Sequence, residues 1–226
     1  GSGGTILTSS DGISWTSRTS GTSNELDGIT YGNSIFVAAG ISKTVLTSSD
    51  GISWTERNTC CGSTLSDVIY ANSIFVTVGS GGTILTSSDG ISWTLRTSGT
   101  SNSLEGITYG NSIFVASSGD GTILTSSDGI SWTERNSGSE KVLSGITFVN
   151  SIFVTVGNSG TILTSSDGTS WTSRTSGITN DLKEITFGNS IFVAVGTGGK
   201  ILTSSDGISW TLREASGNLR AVTYSQ

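Results

Sequence analysis

Six aspartates recur in this chain of 226 residues at a spacing of 39: Asp11, Asp50, Asp89, Asp128, Asp167 and Asp206. Each sits in the run Ser-Ser-Asp-Gly-Ile-Ser-Trp, and the one change is Thr169 in place of the Ile. Six arginines keep the same period three residues after the Trp: Arg18, Arg57, Arg96, Arg135, Arg174 and Arg213. Carboxylates can act as general acids or bases, and arginines can clamp an anion. A catalytic group, however, is needed once, with a shifted pKa and a specific partner. Six equivalent carboxylates at six equivalent turns therefore read as structural. The arginines fall on the outermost strand of each repeat and read as surface or structural. Trp15, Trp54, Trp93, Trp132, Trp171 and Trp210 could stack sugars, but their regular recurrence predicts packing between repeats.

Little other chemistry is on offer. The chain has no His and two cysteines, Cys60 and Cys61, which are adjacent. A disulfide between neighbours is strained, and no further ligand completes a zinc set, so two free thiols are expected. No phosphate loop, serine triad or metal-ligand spacing appears, and neither cofactor nor metal is expected. The formal charge is −6, which argues against nucleic acid. No apolar run approaches the roughly 20 residues of a membrane helix. No signal peptide is visible and the first residue is not Met. A mature form or an excised piece, soluble and from an extracellular or cell-envelope setting, is expected.

A period of 39 points to a propeller, a solenoid or an array. Each unit holds four strand-like pieces. In the first full unit these are Leu26–Tyr31, Ser34–Ala39, Thr44–Ser48 and Ile52–Arg57. A Gly32-Asn33 turn separates the first two. Asp50-Gly51 makes a tight hairpin between the last two, and the run from Ile52 alternates as a strand. Short turns join all four, so they form an antiparallel meander. The longest connection, 58–64, carries the chain to the next unit. Four strands and one crossover match a propeller blade; a solenoid of stacked hairpins is the rival.

Counting the pieces predicts an all-β, single-domain propeller over 1–226 with six blades. Five are complete. The sixth combines an N-terminal hairpin with a C-terminal strand at Leu219–Tyr224 and lacks its second strand. Closure with five blades is the alternative. The incomplete blade offers a route to self-association.

The recurring run resembles the Asp-box, the bacterial neuraminidase repeat, whose pattern is Ser/Thr-x-Asp-x-Gly-x-Thr-Trp. Ser9, Asp11, Gly12, Ser14 and Trp15 occupy its fixed positions, with one residue missing between Asp and Gly in all six copies. The resemblance implies a β-propeller with the box between the third and fourth strands of each blade. Such boxes occur in sialidases, sortilin-type receptors and photosystem II assembly factors, so it carries fold better than function. Sialidases clamp a carboxylate with three non-equivalent arginines near the axis. The periodic arginines here do not match that arrangement, and the accompanying Tyr–Glu pair and acid–base Asp are missing.

Differences between the repeats gather in two places. One is the crossover loop: 19–25, 58–64, 97–103, 136–142, 175–181 and the shorter 214–218. The other is the residue after the first-strand Leu: Asp27, Ser66, Glu105, Ser144, Lys183 and Arg220. This second set is the candidate binding rim. The reading is a non-enzymatic binding or interaction scaffold for a glycan or a protein surface. The alternatives are a designed, reconstructed or recently amplified propeller with no selected ligand, and an Asp-box glycoside hydrolase.

Overall fold

The computed structural model describes residues 1–59 and 63–224. The expectation for Cys60 and Cys61 lies outside the described residues. The chain is all-β, with short 3-10 turns, and no helix among the described residues is long and apolar enough to cross a membrane. The strands form a two-stranded sheet followed by five four-stranded antiparallel meanders.

The first sheet holds β1 (Ile6–Thr8) and β2 (Thr16–Arg18). The second runs β3 (Leu26–Gly32), β4 (Ile35–Gly40), β5 (Val45–Ser48) and β6 (Thr55–Arg57). The third runs β7 (Leu65–Ala71), β8 (Ile74–Gly79), β9 (Thr83–Ser87) and β10 (Thr94–Arg96). The fourth runs β11 (Leu104–Gly110), β12 (Ile113–Ser118), β13 (Ile123–Ser126) and β14 (Thr133–Arg135). The fifth runs β15 (Leu143–Val149), β16 (Ile152–Gly157), β17 (Ile162–Ser165) and β18 (Thr172–Arg174). The sixth runs β19 (Leu182–Gly188), β20 (Ile191–Gly196), β21 (Lys200–Ser204) and β22 (Thr211–Glu214).

The chain packs as two compact units, one of Gly1–Leu104 with Gly129–Ser131, the other of Glu105–Asp128 with the chain from Trp132 onward. The same packing rule builds the core of each. In the first unit Val37, Ala39 and Val45 of one sheet cluster with Leu65, Val68, Phe75 and Leu85 of the next. In the second unit Val154, Val156 and Ile162 cluster with Leu182, Ile185, Phe192 and Leu202. Each such side chain contributes about 1.5–3 kcal/mol when removed from water. The first strands approach closely: a Cβ on Gly32 would lie 2.0 Å from the Tyr70 ring, so the position has no room for a side chain.

The last described segment follows that pattern without joining a ladder. Tyr224 covers Gly188 as Tyr70 covers Gly32, and the Leu219 amide donates to the Gly196 carbonyl at 3.0 Å. Leu219–Tyr224 thus stands where a further first strand belongs, but no strand among the described residues pairs with it. Among the described residues five blades have four strands, and β1 and β2 form a sheet of two.

Two turns differ from the sequence reading. Asp-Gly is not a tight hairpin. β1 ends at Thr8 and β2 begins at Thr16, so Ile13, Ser14 and Trp15 belong to a bent seven-residue loop instead of a strand. The same holds at Ile52, where β6 starts only at Thr55. The reason is the Asp side chain, which draws in the amides that a strand would have paired. The two-residue hairpin lies elsewhere, one position later than Gly32-Asn33. Gly32 pairs with Ile35, and Asn33 and Ser34 between them take φ of 46° and 63°. Two positive φ values define a type I′ turn, whose twist matches the flanking strands. Asn tolerates that region, whereas Ser incurs a Cβ clash there.

The Asn-Ser turn recurs with Asn111 at φ 46° and Ser112 at φ 62°. Ser112→Gly should therefore raise stability by about 0.5 kcal/mol, the relieved strain being partly offset by the entropy Gly loses on folding. Urea unfolding reads this directly, and a drop in midpoint would contradict the turn assignment.

Candidate functional site

The turn motif is a closed hydrogen-bond set. In the third sheet the Ser87 hydroxyl donates to Asp89 Oδ1 at 2.9 Å and accepts from the Gly90 amide at 2.8 Å. Asp89 Oδ1 also accepts from the Ile91 and Ser92 amides, both at 2.8 Å. Trp93 Nε1 donates to the Gly90 carbonyl at 3.0 Å. Asp50, Asp167 and Asp206 repeat the amide contacts, as does Asp11. Asp128 accepts from the Ser126 hydroxyl at 3.0 Å.

These contacts set the electrostatics. The amide three residues on, then the amide two on, holds Asp50, Asp89, Asp167 and Asp206 below the usual carboxylate range. Asp11 is lowered to about 2 by the Ser14 and Ile13 amides and the Ser9 hydroxyl. A carboxylate stabilised in its charged form is a weak proton acceptor. The structure does not bring the six together; each serves its own turn.

The Trp rings pack on Phe of their own sheet. Phe75 and Trp93 lie 6.4 Å apart, and Phe36–Trp54, Phe114–Trp132, Phe153–Trp171 and Phe192–Trp210 repeat the arrangement. The cluster holding Trp93 also includes Val37 of the preceding sheet, with Ile35 packed against it. Trp15, whose sheet among the described residues is β1 and β2 alone and supplies no Phe, is 59% exposed, against 7% for Trp93. Five arginines donate Nε to a Thr on the adjacent strand, as Arg174 does to Thr164 at 2.8 Å.

Four of the six rim residues turn out to be bulges. The ladder slips between Leu26 and Gly28, Leu65 and Asp67, Leu143 and Gly145, and Leu182 and Glu184. Asp27, Ser66, Ser144 and Lys183 are the extra residues, which frees their side chains from the ladder and re-aims them. A signal for this lay in the sequence: Leu26 and Ile29 are three apart, a spacing that a regular strand cannot place on one face. The rim is not a single set. Asp27 and Ser66 belong to the first unit; Glu105, Ser144, Lys183 and Arg220 belong to the second. Partial burial, then the charge of Glu25, pushes the Asp27 carboxyl up. Burial also raises Glu105, with Lys183 opposing it. Lys183 is engaged by Asp181 at 3.1 Å and Asn158 at 3.2 Å. Arg220 is exposed.

The crossover loops of the second unit form a larger feature. Loops 136–142 and 175–181 flank a cleft of about 860 Å³ over β17 and β18. Its lining is mostly Ser, Thr and Gly, with Trp171, Arg174 and Lys200, and includes no Asp or Glu. The loops are held locally: Ser176 Oγ donates to the Ile178 carbonyl and accepts from the Ile178 amide. Lys200 pairs with Glu214. The cleft is thus neutral to basic, hydroxyl-rich and walled by one indole. Among the described residues no group of His, Cys, Asp and Glu could hold a metal.

Two predictions follow from this geometry. Trp93→Ala should cost about 3–5 kcal/mol, and Trp15→Ala less than about 1 kcal/mol; equal melting shifts would refute the contrast. The lowered aspartates contribute stability above the unfolded carboxylate pKa of about 3.9. That contribution should vanish as pH falls through the folded values, between about pH 4 and, for Asp11, about 2. Asp89→Ala should lower the urea midpoint at pH 7 and make the acid decline shallower; an unchanged acid limb would remove the turn carboxylates as its cause.

No protein family matches the chain, and no curated protein does. Solved structures do. One described as YCF48 bound to D1 peptide superposes with a TM-score of 0.78 at 17% identity, covering 99% of this chain and 80% of that one. YCF48 from Cyanidioschyzon merolae gives 0.76 at 18%, covering 99% and 84%. A computationally designed protein, Ika8, gives 0.72 at 14%, covering 99% and 76%. At such identities the likeness is one of fold, and the fold of this chain is a six-bladed β-propeller.

Proposed function

We propose that this chain is a non-enzymatic binding scaffold, and that the cleft between loops 136–142 and 175–181 receives an extended polypeptide. One observation carries the reading: near-identical repeats differ chiefly in their crossover loops and bulge residues, and two of those loops line a cleft of about 860 Å³. A hydroxyl-rich wall with Arg174 and Trp171 suits backbone amides and polar or acidic side chains. The likeness to YCF48, in a structure holding a peptide, agrees with a protein ligand. The recurring turn, read as a shortened Asp-box, supports the blades and takes no part in binding. Glycoside hydrolysis needs two carboxylates converging on one bond; this cleft has none, so no catalytic role is assigned.

A second reading is a designed or recently amplified propeller with no selected ligand. The near-identity of the repeats and the likeness to a designed protein favour it. Peptide and glycan arrays on the purified protein separate the readings. Thr179→Trp, a change at an exposed position that fills the cleft, should abolish peptide capture and shift Tm by no more than about 2 °C. Glycan capture alone would move the ligand class, silence on both arrays would favour the second reading, and capture untouched by Thr179→Trp would displace the site.

A further inference from the structure

Folding does not account for two recurring features of the turns and outer strands. The first is the Ile that follows Asp-Gly. Ile91, Ile130 and Ile208 are each nearly half exposed. The turn does not need an apolar residue there, since Thr169 takes the same place and keeps both amide contacts to Asp167. The second is the guanidinium three residues after the Trp. Arg96 and Arg174 each donate Nε to a Thr hydroxyl at 2.8 Å, which fixes the group and leaves its terminal N–H donors over. Among the described residues no carboxylate forms an ion pair with either.

Both features meet in one pocket. In the first unit a cavity of about 260 Å³ is walled by Ile74, by Ile130 from the turn of a neighbouring repeat, and by Arg96. Ser88, Ser92 and Thr94 line it as well, with exposed hydroxyls that can donate and accept. In the second unit a cavity of about 350 Å³ repeats the arrangement two repeats on, with Ile152, Ser166, Ser170, Thr172 and Arg174. No Asp or Glu lines either cavity. The carboxylates nearest in sequence, Asp89 and Asp167, turn Oδ1 to the amides of their own loops.

We infer that this pocket binds a hexuronate. The guanidinium, fixed by its Thr and without an acidic partner, presents paired N–H donors to a carboxylate. The Ser and Thr hydroxyls match the ring hydroxyls of a sugar, and the two Ile side chains cover its C–H face. The volume is at the low end for ligand pockets and suits one sugar ring. Other classes use less of the pocket. A neutral sugar leaves the guanidinium unused, and a bare sulfate leaves the Ile pair unused. An amino acid has no carboxylate to receive its ammonium. The Arg96 pocket belongs to the first unit and does not depend on the cleft of the second, which Arg174 also lines.

The test is an NMR titration of isotope-labelled protein with sodium glucuronate. Arg96→Lys and Arg174→Lys assign the two Nε–H cross-peaks. Both peaks should shift saturably, and glucose should bind at least about tenfold more weakly, the factor that one charge-assisted contact supplies. Sodium acetate and sodium sulfate at matched ionic strength should also bind more weakly, because neither fills the pocket. Ile130→Ser, at an exposed position, should weaken glucuronate at least about threefold at the Arg96 peak, leave the Arg174 peak as it was, and barely move Tm. Glucose binding as well as glucuronate overturns the proposal, as does acetate or sulfate doing so. An Arg96 response unchanged by Ile130→Ser overturns it too. Thr179→Trp, which fills the cleft of the second unit, should leave the Arg96 response intact, so loss of the cleft reading and loss of this one are told apart.

Discussion

A four-stranded sheet of this composition has two apolar faces, and its own 39 residues cannot cover either. Everything else in the structure follows from that shortage. Val37, Ala39 and Val45 find cover on the next sheet, and Val154, Val156 and Ile162 do the same in the second unit. A repeat is therefore stable only beside another repeat, which is the energetic meaning of the period. The outer strands need no such cover. They are three or four residues long and rich in Thr, Arg and other polar residues, which leaves a short edge unattractive to other chains.

The turn motif contributes by fixing where the third strand stops. One carboxylate oxygen gathers two amides and a hydroxyl, so the loop is held by its own side chain without help from solvent. The same geometry points Trp back across the sheet onto Phe of the second strand. The motif thus links turn to core, and in the first sheet, described as β1 and β2 alone, the link is not made: Trp15 has no Phe against it among the described residues and lies open.

A scaffold assembled from identical parts leaves few positions free to vary. The bulge residue and the crossover loop are such positions. The bulge side chain has left the ladder, and the loop is held by its own Ser turns and carries no sheet pairing. Both can change without disturbing the packing between sheets. Changes of side chain at such positions have little cost to the fold.

The sequence by itself determined the all-β class, the 39-residue unit, the four strands and their meander order, and the crossover. Those features depend on local periodicity and on repetition, which a single chain displays openly. It marked all six crossover loops as variable but did not distinguish the two that line the cleft. Tertiary structure alone decided three things. The Asp-Gly segment reads as a hairpin by composition, yet the Asp carboxylate outcompetes strand pairing for the nearby amides and moves the tight turn to Asn-Ser. The three-residue spacing from each Leu to the next apolar residue hints at a slip, but only the ladder shows that Asp27, Ser66, Ser144 and Lys183 are the bulged residues. Leu7 and Ile29 are as apolar as their repeats. What differs is the strand beside them, and burial depends on that neighbour, not on the residue itself.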